Sequence, residues 1–427
     1  MPQSSYFCIH TMIQSIEIMS PVGSYESLMA AIQAGAGSVY FGVGKMNMRS
    51  RSSANFTLDD LARITALCKE NNVRAYLTLN TVVFDNETEE MNALVDAAVE
   101  HGISAIIASD ISVMEYARDK GMEVHISTQC NITNAGAVRF YARYADVMVT
   151  ARELSLDKVA AIVQTIKQEN ICGPSGNPVK IEIFVHGALC MAISGKCYIS
   201  LDNFNSSANR GACFQPCRRG YAVHDLEDGL ELVVDNKYIM SPKDLCTIGF
   251  IDAIVNAGAT VLKIEGRGRS PEYVKAATMC YREAVESLAA GTYNEEAVKG
   301  WIQRLDSVYN RGFWDGYYLG KHTGEWSERY GSQATQQKTY IGKITNYFSK
   351  LGVAEIKLET AQLCAGDELL IIGPTTGVLE ETVREIRLDD GLTNTANKGD
   401  ICSIPVSAIV RRSDKIYKLT PVSRSQS

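Results

Sequence analysis

The sequence predicts an α/β fold, with a (β/α)8 TIM-barrel-like N-terminal domain and a small C-terminal β-barrel domain. Between residues 16 and 266, short apolar strands alternate with amphipathic helices, which is the pattern of parallel βαβ units. The motif IMSP at 18–21 recurs at 239–242, and each copy precedes a helix that ends in AGA and then a new strand. Repetition of this kind suits a barrel, for which about 250 residues is typical. From Thr339 onward the pattern changes to strict alternation of apolar and polar residues, which indicates antiparallel strands.

The barrel has nine candidate strands for eight places, and the sequence does not identify the extra one. The candidates are Ile16–Ser20, Ser38–Val43, Arg74–Asn80, Ala105–Asp110, Glu123–Thr128, Asp146–Ala151, Lys180–His186, Lys237–Ser241 and Val261–Glu265. The segments between them, such as Thr57–Lys69 and Leu156–Gln168, carry apolar residues at helical spacing. Each strand is therefore expected to be followed by a covering helix.

The pattern becomes helical after residue 266 and then changes to strands. We predict outer helices over Ser270–Ala289 and Asn294–Asn310, followed by an aromatic segment at 313–318. Five short strands follow: TYIGKITNYF, VAEIKLE, GDELLIIG, LEETVREIRL and GDICSIPV. A polar stretch at 331–338 separates the two patterns. The predicted organisation is an N-terminal extension at 1–15, a barrel domain at 16–335 with a cysteine loop at 187–220, and a β-domain at 336–427.

Composition is that of an ordinary globular protein, with 46% hydrophobic and 21% charged residues among 427. No apolar run approaches the roughly 20 residues needed to cross a bilayer, and no Lys or Arg precedes Lys45. We therefore expect a cytoplasmic protein without a membrane partner.

The formal net charge of −7 argues against a general affinity for polyanions. Local charge differs, because residues 203–224 hold three arginines and no acid, and the tail that we expect at residues 411–424 holds five basic residues against Asp414. Either patch is compatible with RNA contact or with a merely solubilising surface.

The most distinctive chemical feature is a group of four cysteines at C-x6-C-x15-C-x3-C spacing: Cys190, Cys197, Cys213 and Cys217. Four thiolates can hold an iron–sulfur cluster, and nearby glycines allow the backbone to fold closely around one. Zinc is the weaker reading because structural zinc sites usually show C-x2-C pairs, which this sequence lacks. The remaining alternative is that some of these thiols are small buried side chains. Cys246 follows the second IMSP motif and is a candidate substitute ligand.

The cysteine loop follows the strand Lys180–His186, so it starts at the end of the barrel where such enzymes carry their chemistry. The other strand ends bring candidate substrate-binding residues to the same face: Arg49, Asn80, Lys263, Glu265 and Arg267. Several cations there would suit a small anionic molecule, since guanidinium groups bind carboxylates and phosphates through paired hydrogen bonds. For each cation the alternative is a solvated charge or a local ion pair.

Three further residues at this face are candidate catalytic groups: His186, Arg152 and Glu153. His186 is either an acid/base group or a structural residue that holds the loop. Arg152 and Glu153 are adjacent and could simply neutralise each other.

The segment EIFVHGALCMAISGKCYIS at 182–200 resembles the signature of peptidase family U32. MSPVG at 19–23, ARELS at 151–155, SPKDL at 241–245 and LKIEGR at 262–267 agree with it. The resemblance covers residues 16–320, and the C-terminal β-domain also fits. Length and cysteine spacing are most similar to members that hydroxylate the wobble uridine of tRNA with prephenate and an iron–sulfur cluster. The resemblance implies a 4Fe–4S cluster on the four cysteines, prephenate as co-substrate and tRNA as partner.

Alternatives remain open at this stage. The family name implies a peptidase, yet the sequence contains no H-E-x-x-H and no G-x-S-x-G motif. Other relatives hydroxylate a ribosomal RNA cytidine or act on a quinone precursor, and a non-catalytic subunit with a structural cluster and a protein partner is a further possibility.

Overall fold

The computed structural model describes residues 16–51, 55–221, 227, 240–320, 323–327, 329 and 331–422. Eight parallel strands close into a barrel: β1 (Glu17–Pro21), β2 (Ser38–Gly42), β3 (Arg74–Leu79), β4 (Ala105–Ala108), β5 (Val124–Ile126), β6 (Val147–Val149), β7 (Lys180–Ala188) and β9 (Val261–Ile264). Each strand pairs with the next, and β9 closes the ring by pairing with both β7 and β1. The predicted barrel is confirmed, and eight of the nine candidate strands form it. Of the ninth, Lys237–Ser241, residues 237–239 lie outside the described residues and the other two are not in a strand.

The helices are α1 (Tyr25–Gln33), α2 (Leu61–Glu70), α3 (Thr88–Glu100), α4 (Ile111–Asp119), α5 (Ala135–Tyr141), α6 (Leu156–Glu169), α7 (Ile199–Phe204), α8 (Ile251–Asn256), α9 (Pro271–Ala290) and α10 (Glu295–Ser307). The short α7 lies within the cysteine loop, and the others pack around the barrel. In α6, Leu156, Val159 and Val163 are buried at intervals of three and four, so one face packs on the strands. Side chains at several N-caps accept a backbone hydrogen bond, as Ser24 does from Ser27 at the start of α1. The two predicted outer helices correspond to α9 and α10.

A short strand, β8 (Asp244–Cys246), lies outside the barrel and runs antiparallel to the end of β7. His186 is opposite Cys246 and Ala188 is opposite Asp244, so the two ends of the cysteine loop are joined by a ladder of hydrogen bonds. β10 (Phe313–Trp314) pairs with the other edge of β8. This arrangement fixes where the loop leaves the barrel and where it returns.

The barrel interior contains charged side chains that are paired with one another. Glu182 is fully buried, and its carboxylate lies 2.7 Å from Lys263 Nζ and 3.7 Å from His125 Nδ1. His125 Nε2 lies 3.0 Å from Glu123, which in turn contacts Arg74 at 2.6 Å. Burial opposes ionisation of Glu182, but Lys263 and His125 outweigh it and lower the pKa of that carboxyl.

The C-terminal region is an antiparallel β-structure with its own apolar core, as predicted. Its strands are β11 (Gln336–Phe348), β12 (Val353–Leu358), β13 (Leu363–Cys364), β14 (Glu368–Gly373), β15 (Gly377–Thr382), β16 (Ile386–Leu388), β17 (Gly391–Thr393), β18 (Thr395–Ala396), β19 (Ile401–Pro405) and β20 (Lys415–Pro421). Eight of them form one sheet in the order β15-β14-β20-β11-β12-β19-β16-β17. The segment LEETVREIRL is divided between β15 and β16 rather than forming one strand.

The basic segment that begins at Arg411 differs from the expectation of a tail. Residues 415–421 form β20, which lies between β14 and β11 in the sheet. Ile416 is fully buried there, and Lys418 forms an ion pair with Asp367 at 2.7 Å. Ile416 packs in the core of the β-region, whereas Tyr417 and Leu419 on the other face of the strand pack against the apolar cluster that includes Ala30.

The β-region packs against the side of the barrel. Gln33 at the end of α1 donates to the carbonyl of Thr376 and accepts from the amide of Val378. Ala30, Leu370 and Ile372 form a small shared apolar cluster beside these hydrogen bonds. Among the described residues, no helix combines the length and apolar character needed to span a membrane.

Candidate active site at the barrel mouth

A cavity of about 660 Å3 lies at the carboxyl ends of the barrel strands. Its walls come from the cysteine loop, from α9 and α10, and from β-region residues such as Lys338 and Leu370. Among the described residues, seven cationic and three acidic side chains line it, and five of the cations are arginines: Arg49, Arg218, Arg269, Arg304 and Arg311. The volume is in the range of small-molecule sites, and the surplus of cations favours an anionic ligand.

The four cysteines of the loop lie near one another. Cys190, Cys213 and Cys217 line the cavity, and no disulfide involves any of the four. Burial raises the pKa of the Cys217 thiol, Arg218 opposes this, and electrostatic interaction with the thiols of Cys190, Cys213 and Cys197 raises it further. Cys213 Sγ accepts hydrogen bonds from the Gln215 amide at 3.4 Å and from Ser200 Oγ at 3.9 Å.

A cluster of four thiols within electrostatic range of one another is the donor set that an iron–sulfur cluster takes. The four thiols of the loop are therefore suitable ligands for an iron–sulfur cluster. In the described part of the chain, however, no three His, Cys, Asp or Glu side chains are already gathered at metal-ligand spacing.

Glycines and left-handed residues shape the loop. Gly187 has φ +100°, and a Cβ there would lie 2.3 Å from the carbonyl oxygen of Glu265, so only glycine fits. Two arginines then hold the loop in place. Arg210 pairs with Glu87 on the rim, while Arg218 donates to the carbonyls of Leu189 and Pro242.

Glu265 is the buried carboxylate of the mouth. Its Oε1 lies 2.8 Å from Arg49 Nη2. Burial alone would raise the pKa of this carboxyl, but the charges of Arg49, Arg152 and Arg267 outweigh it and hold the pKa at about 2. Glu265 is thus ionised at neutral pH and orients Arg49 at the cavity wall.

Asp244 plays a similar role for two other arginines. It is fully buried, and its two carboxylate oxygens accept from Arg269 and Arg311, each at 3.2 Å. One buried acid therefore positions two guanidinium groups that line the cavity. Sequence reasoning had placed neither Asp244 nor Arg311 at the site. SPKDL at 241–245 gave a signal for Asp244, whereas Arg311 follows α10 and had no strand-end signal.

The predicted substrate-binding residues divide into two groups. Arg49 and Glu265 line the cavity, whereas Asn80, Lys263 and Arg267 do not. Lys263 is paired with Glu182 inside the barrel. Arg267 is buried, which lowers its pKa to about 10, and it donates to Asn47 and Thr78.

Asn80 also has a structural environment. Its Nδ2 donates to Ser127 Oγ at 3.2 Å, and its Oδ1 accepts from the Met48 amide at 3.2 Å. These bonds hold the segment after β2 over the barrel end.

The three candidate catalytic residues lie outside the cavity lining. Arg152 and Glu153 form no ion pair with each other, so they do not neutralise one another as the sequence allowed. Arg152 instead donates to the carbonyl of Ala188 and stacks 3.9 Å above the Phe184 ring, whereas Glu153 is exposed. Arg152 therefore supports the start of the cysteine loop.

His186 is 1% exposed and packs among the rings of Tyr273, Tyr281 and Phe313 at 5.5–5.8 Å. Burial lowers its pKa to about 4, and the neighbouring Asp244 opposes this only in part. This environment favours the structural alternative of the two that the sequence left open.

Cys246, the candidate substitute ligand, is likewise not in the cavity lining. Burial raises the pKa of its thiol to about 11, and its Sγ accepts from Tyr281.

Fold and site together define a class: a TIM-barrel protein with a thiol- and arginine-lined cavity at the strand ends, closed on one side by an antiparallel β-region. The particular family follows from comparison with known sequences. The profile of peptidase family U32 matches residues 23–328, and the chain belongs to that family.

Relatives in the family carry different names. A protein from Porphyromonas gingivalis named "Collagenase" is 58% identical over 95% of this chain and 98% of its own length. The "tRNA hydroxylation protein P1" of Bacillus subtilis is 28% identical over 93% of this chain and 92% of its own. The "23S rRNA 5-hydroxycytidine C2501 synthase" of Escherichia coli is 34% identical over 73% of this chain and 46% of its own.

Proposed function

We propose that this chain is an RNA-modifying oxidoreductase that converts a uridine at the wobble position of tRNA to 5-hydroxyuridine. One observation carries the proposal: three of the four loop cysteines and five arginines share a single cavity at the strand ends. Relatives named for hydroxylation of tRNA and of a ribosomal cytidine support the same chemistry. Its place of action would be the cytoplasm, where tRNA is found.

In this proposal Cys190, Cys197, Cys213 and Cys217 would hold a 4Fe–4S cluster. Bound there, the cluster would supply a redox-active iron centre that can polarise an oxygen-bearing donor. The oxygen donor would be a small carboxylate such as prephenate.

The arginines give this donor a binding site. Arg269 and Arg311 are held by Asp244 with their guanidinium groups on the cavity wall, so they can bind a carboxylate without reorganising. Arg49 is oriented in the same way by Glu265. The protein's own contribution is thus to fix the donor and to exclude water around it.

Mass spectrometry of tRNA nucleosides tests the proposal directly. A strain that lacks the gene and any parallel pathway is complemented with the wild-type gene, with Cys213→Ser, or with the matched control Cys172→Ser. Cys172 precedes β7, so it lies at the opposite end of that strand from the loop. We expect 5-hydroxyuridine derivatives with the wild type and the control but not with Cys213→Ser. Unchanged derivatives in the uncomplemented strain would overturn the tRNA assignment.

A peptidase is the second candidate, and the collagenase-named relative at 58% identity favours it. Peptide hydrolysis needs an activated nucleophile or a metal-bound water. In the described ranges, none of His101, His125 and His186 forms a hydrogen bond with a serine, threonine or cysteine side chain. Digestion of gelatin by the purified protein, undiminished after replacement of all four loop cysteines, would favour this candidate over hydroxylation.

A further inference from the structure

A second cavity of about 530 Å3 opens beside the first and shares five of its lining residues, including Cys213 and Arg311. We name it the arginine groove, because Arg51, Arg218, Arg219, Arg311 and Arg329 line it. Among the residues that the structure describes, no acidic side chain lines it. Since the whole chain has a net charge of −7, this concentration of positive charge is local and faces outward from the proposed active site.

Exposed aromatic side chains stand at the edge of this groove. Phe204 and Phe214 are 38% and 36% exposed, and their ring centroids lie 5.0 Å apart. Arg51 Cζ lies 4.1 Å from the Phe214 centroid, and Arg219 Cζ lies 5.2 Å from the Phe204 centroid. The four side chains form a contiguous row that we name the aromatic ladder, in the order Arg51, Phe214, Phe204 and Arg219, and its two rings are tilted by 43° to each other.

The surroundings of the ladder show that it is not part of a core. Tyr198, Leu201 and Ile193 of the same loop are also exposed, at 70%, 37% and 53%. Burying such side chains would release free energy, so their exposure indicates a partner surface. Arginines interleaved with aromatic rings are the surface that unpaired nucleotides bind, with phosphates on the guanidinium groups and bases on the rings.

We propose that the arginine groove and the aromatic ladder bind single-stranded RNA and direct one unpaired nucleotide into the cavity that the cysteines line. The inference rests on the proposed function, since it names the surface through which the RNA substrate would reach the same site. A single strand fits better than a duplex, because only unpaired bases expose the faces that Phe204 and Phe214 could stack on. The path into the cavity is continuous, as Gln215 and Arg218 line both spaces.

The test is direct binding of a fluorescein-labelled uridine heptamer RNA to the full-length protein, followed by fluorescence anisotropy. Phe204→Ala with Phe214→Ala should weaken binding by about tenfold or more, because each stacked base contributes substantially to affinity. Arg51→Gln with Arg219→Gln should weaken it and flatten the plot of log Kd against log salt by about 1.4, or about 0.7 for each lost phosphate contact. Arg51→Lys with Arg219→Lys should keep the salt slope.

The chain offers a matched control on another surface. Arg143 Cζ lies 4.3 Å from the ring centroid of Phe140, which is 43% exposed on α5. Phe140→Ala with Arg143→Gln removes the same kinds of side chain and should leave RNA binding unchanged. Circular dichroism melting of every variant establishes that each is folded before its affinity is compared.

Several outcomes overturn the inference. Wild-type affinity in the ladder variant would do so, as would equal loss in the Phe140 and Arg143 control. Competition by polyglutamate as effective as by unlabelled RNA would indicate an acidic protein partner instead.

Binding is measured without turnover, so it separates this inference from the proposed function. RNA binding that depends on the aromatic ladder, without any 5-hydroxyuridine in cells, would support the binding surface and contradict the hydroxylase function. Hydroxylation that persists in ladder variants with unchanged affinity would do the reverse.

Discussion

Charges inside the barrel and charges at its mouth are organised differently. Inside, acids and bases match, because the buried Glu182 faces Lys263 and His125. The partly exposed Glu123 and Arg74 continue this pairing outward from His125. At the mouth, the buried Asp244 binds two arginines, and the described residues that line the arginine groove include no acid.

The difference indicates two purposes. Charges removed from water must be paired, or the desolvation penalty would unfold the protein. A surplus of cations at a solvent-connected site costs little in stability and is available to an anionic ligand. The interior pairs should therefore respond to mutation through stability, and the mouth through binding.

Replacing Lys263 with methionine should have the largest effect, because it leaves the buried carboxylate of Glu182 without its closest counter-ion. We expect the free energy of unfolding to fall by about 3–5 kcal/mol in urea denaturation. The double variant Glu182→Gln with Lys263→Met removes both charges and should regain more than half of that loss. A loss of under 1 kcal/mol for Lys263→Met alone would break the comparison.

Protonation of His186 should lower the free energy of unfolding at acid pH. Its pKa of about 4 in the folded chain lies below the unfolded value of 6.5, so between these pH values the unfolded state binds an extra proton. The stabilisation is therefore full above pH 6.5 and is lost as the pH falls toward 4, by about 3 kcal/mol in total. His186→Phe keeps an aromatic ring among Tyr273, Tyr281 and Phe313 but cannot titrate. Urea denaturation at several pH values should show a shallower slope for this variant than for the wild type in that window, and equal slopes would contradict the assignment.

Replacement of Cys213 by serine should separate an effect on stability from an effect on cluster binding. The side chain is only partly buried, so we expect the free energy of unfolding of the apo-protein to fall by less than about 1 kcal/mol. If the loop holds an iron–sulfur cluster, iron and sulfide after anaerobic reconstitution should fall below half of the wild-type content. Cys172→Ser should retain both, and full iron in Cys213→Ser would remove this thiol from the ligand set.

Arg219→Gln should have the smallest effect on stability. Arg219 is exposed at the end of the cysteine loop and forms no ion pair in the part of the chain that the structure describes. We expect a change within about 0.5 kcal/mol in the free energy of unfolding. A loss of 2 kcal/mol or more would mean that the mouth cations stabilise the fold, as the interior pairs do.

Much of the fold could be predicted from the sequence, because strand and helix periodicities are local properties of the chain. The eight barrel strands follow from apolar runs such as Ala105–Ala108, and the switch to alternation after Thr339 marks the β-region. The last strand, Lys415–Pro421, was missed because its lysines suggested a tail. Its place between β14 and β11 depends on pairings with residues more than forty positions away, which periodicity does not encode.

The candidate site was predicted less completely, because depth within a barrel depends on how its strands are staggered. Lys263 lies within β9 and Glu265 directly follows that strand, yet Lys263 pairs deep inside the barrel while Glu265 reaches the cavity. The cysteine loop could be predicted to lie at the mouth because it directly follows a strand. Arg311 could not, because it reaches the cavity from a segment beyond α10, and only the tertiary structure brings it to Asp244.

The short ladder between β7 and β8 has a consequence for how family members can diverge. His186 and Ala188 pair with Cys246 and Asp244 in the ladder between β7 and β8. The chain between the two strands is therefore an insert whose two ends lie side by side at the edge of the barrel. Such an insert can be exchanged, lengthened or shortened between relatives while the eight barrel strands and their covering helices are unchanged. Replacement of this one insert would thereby give the same barrel a different reactive centre.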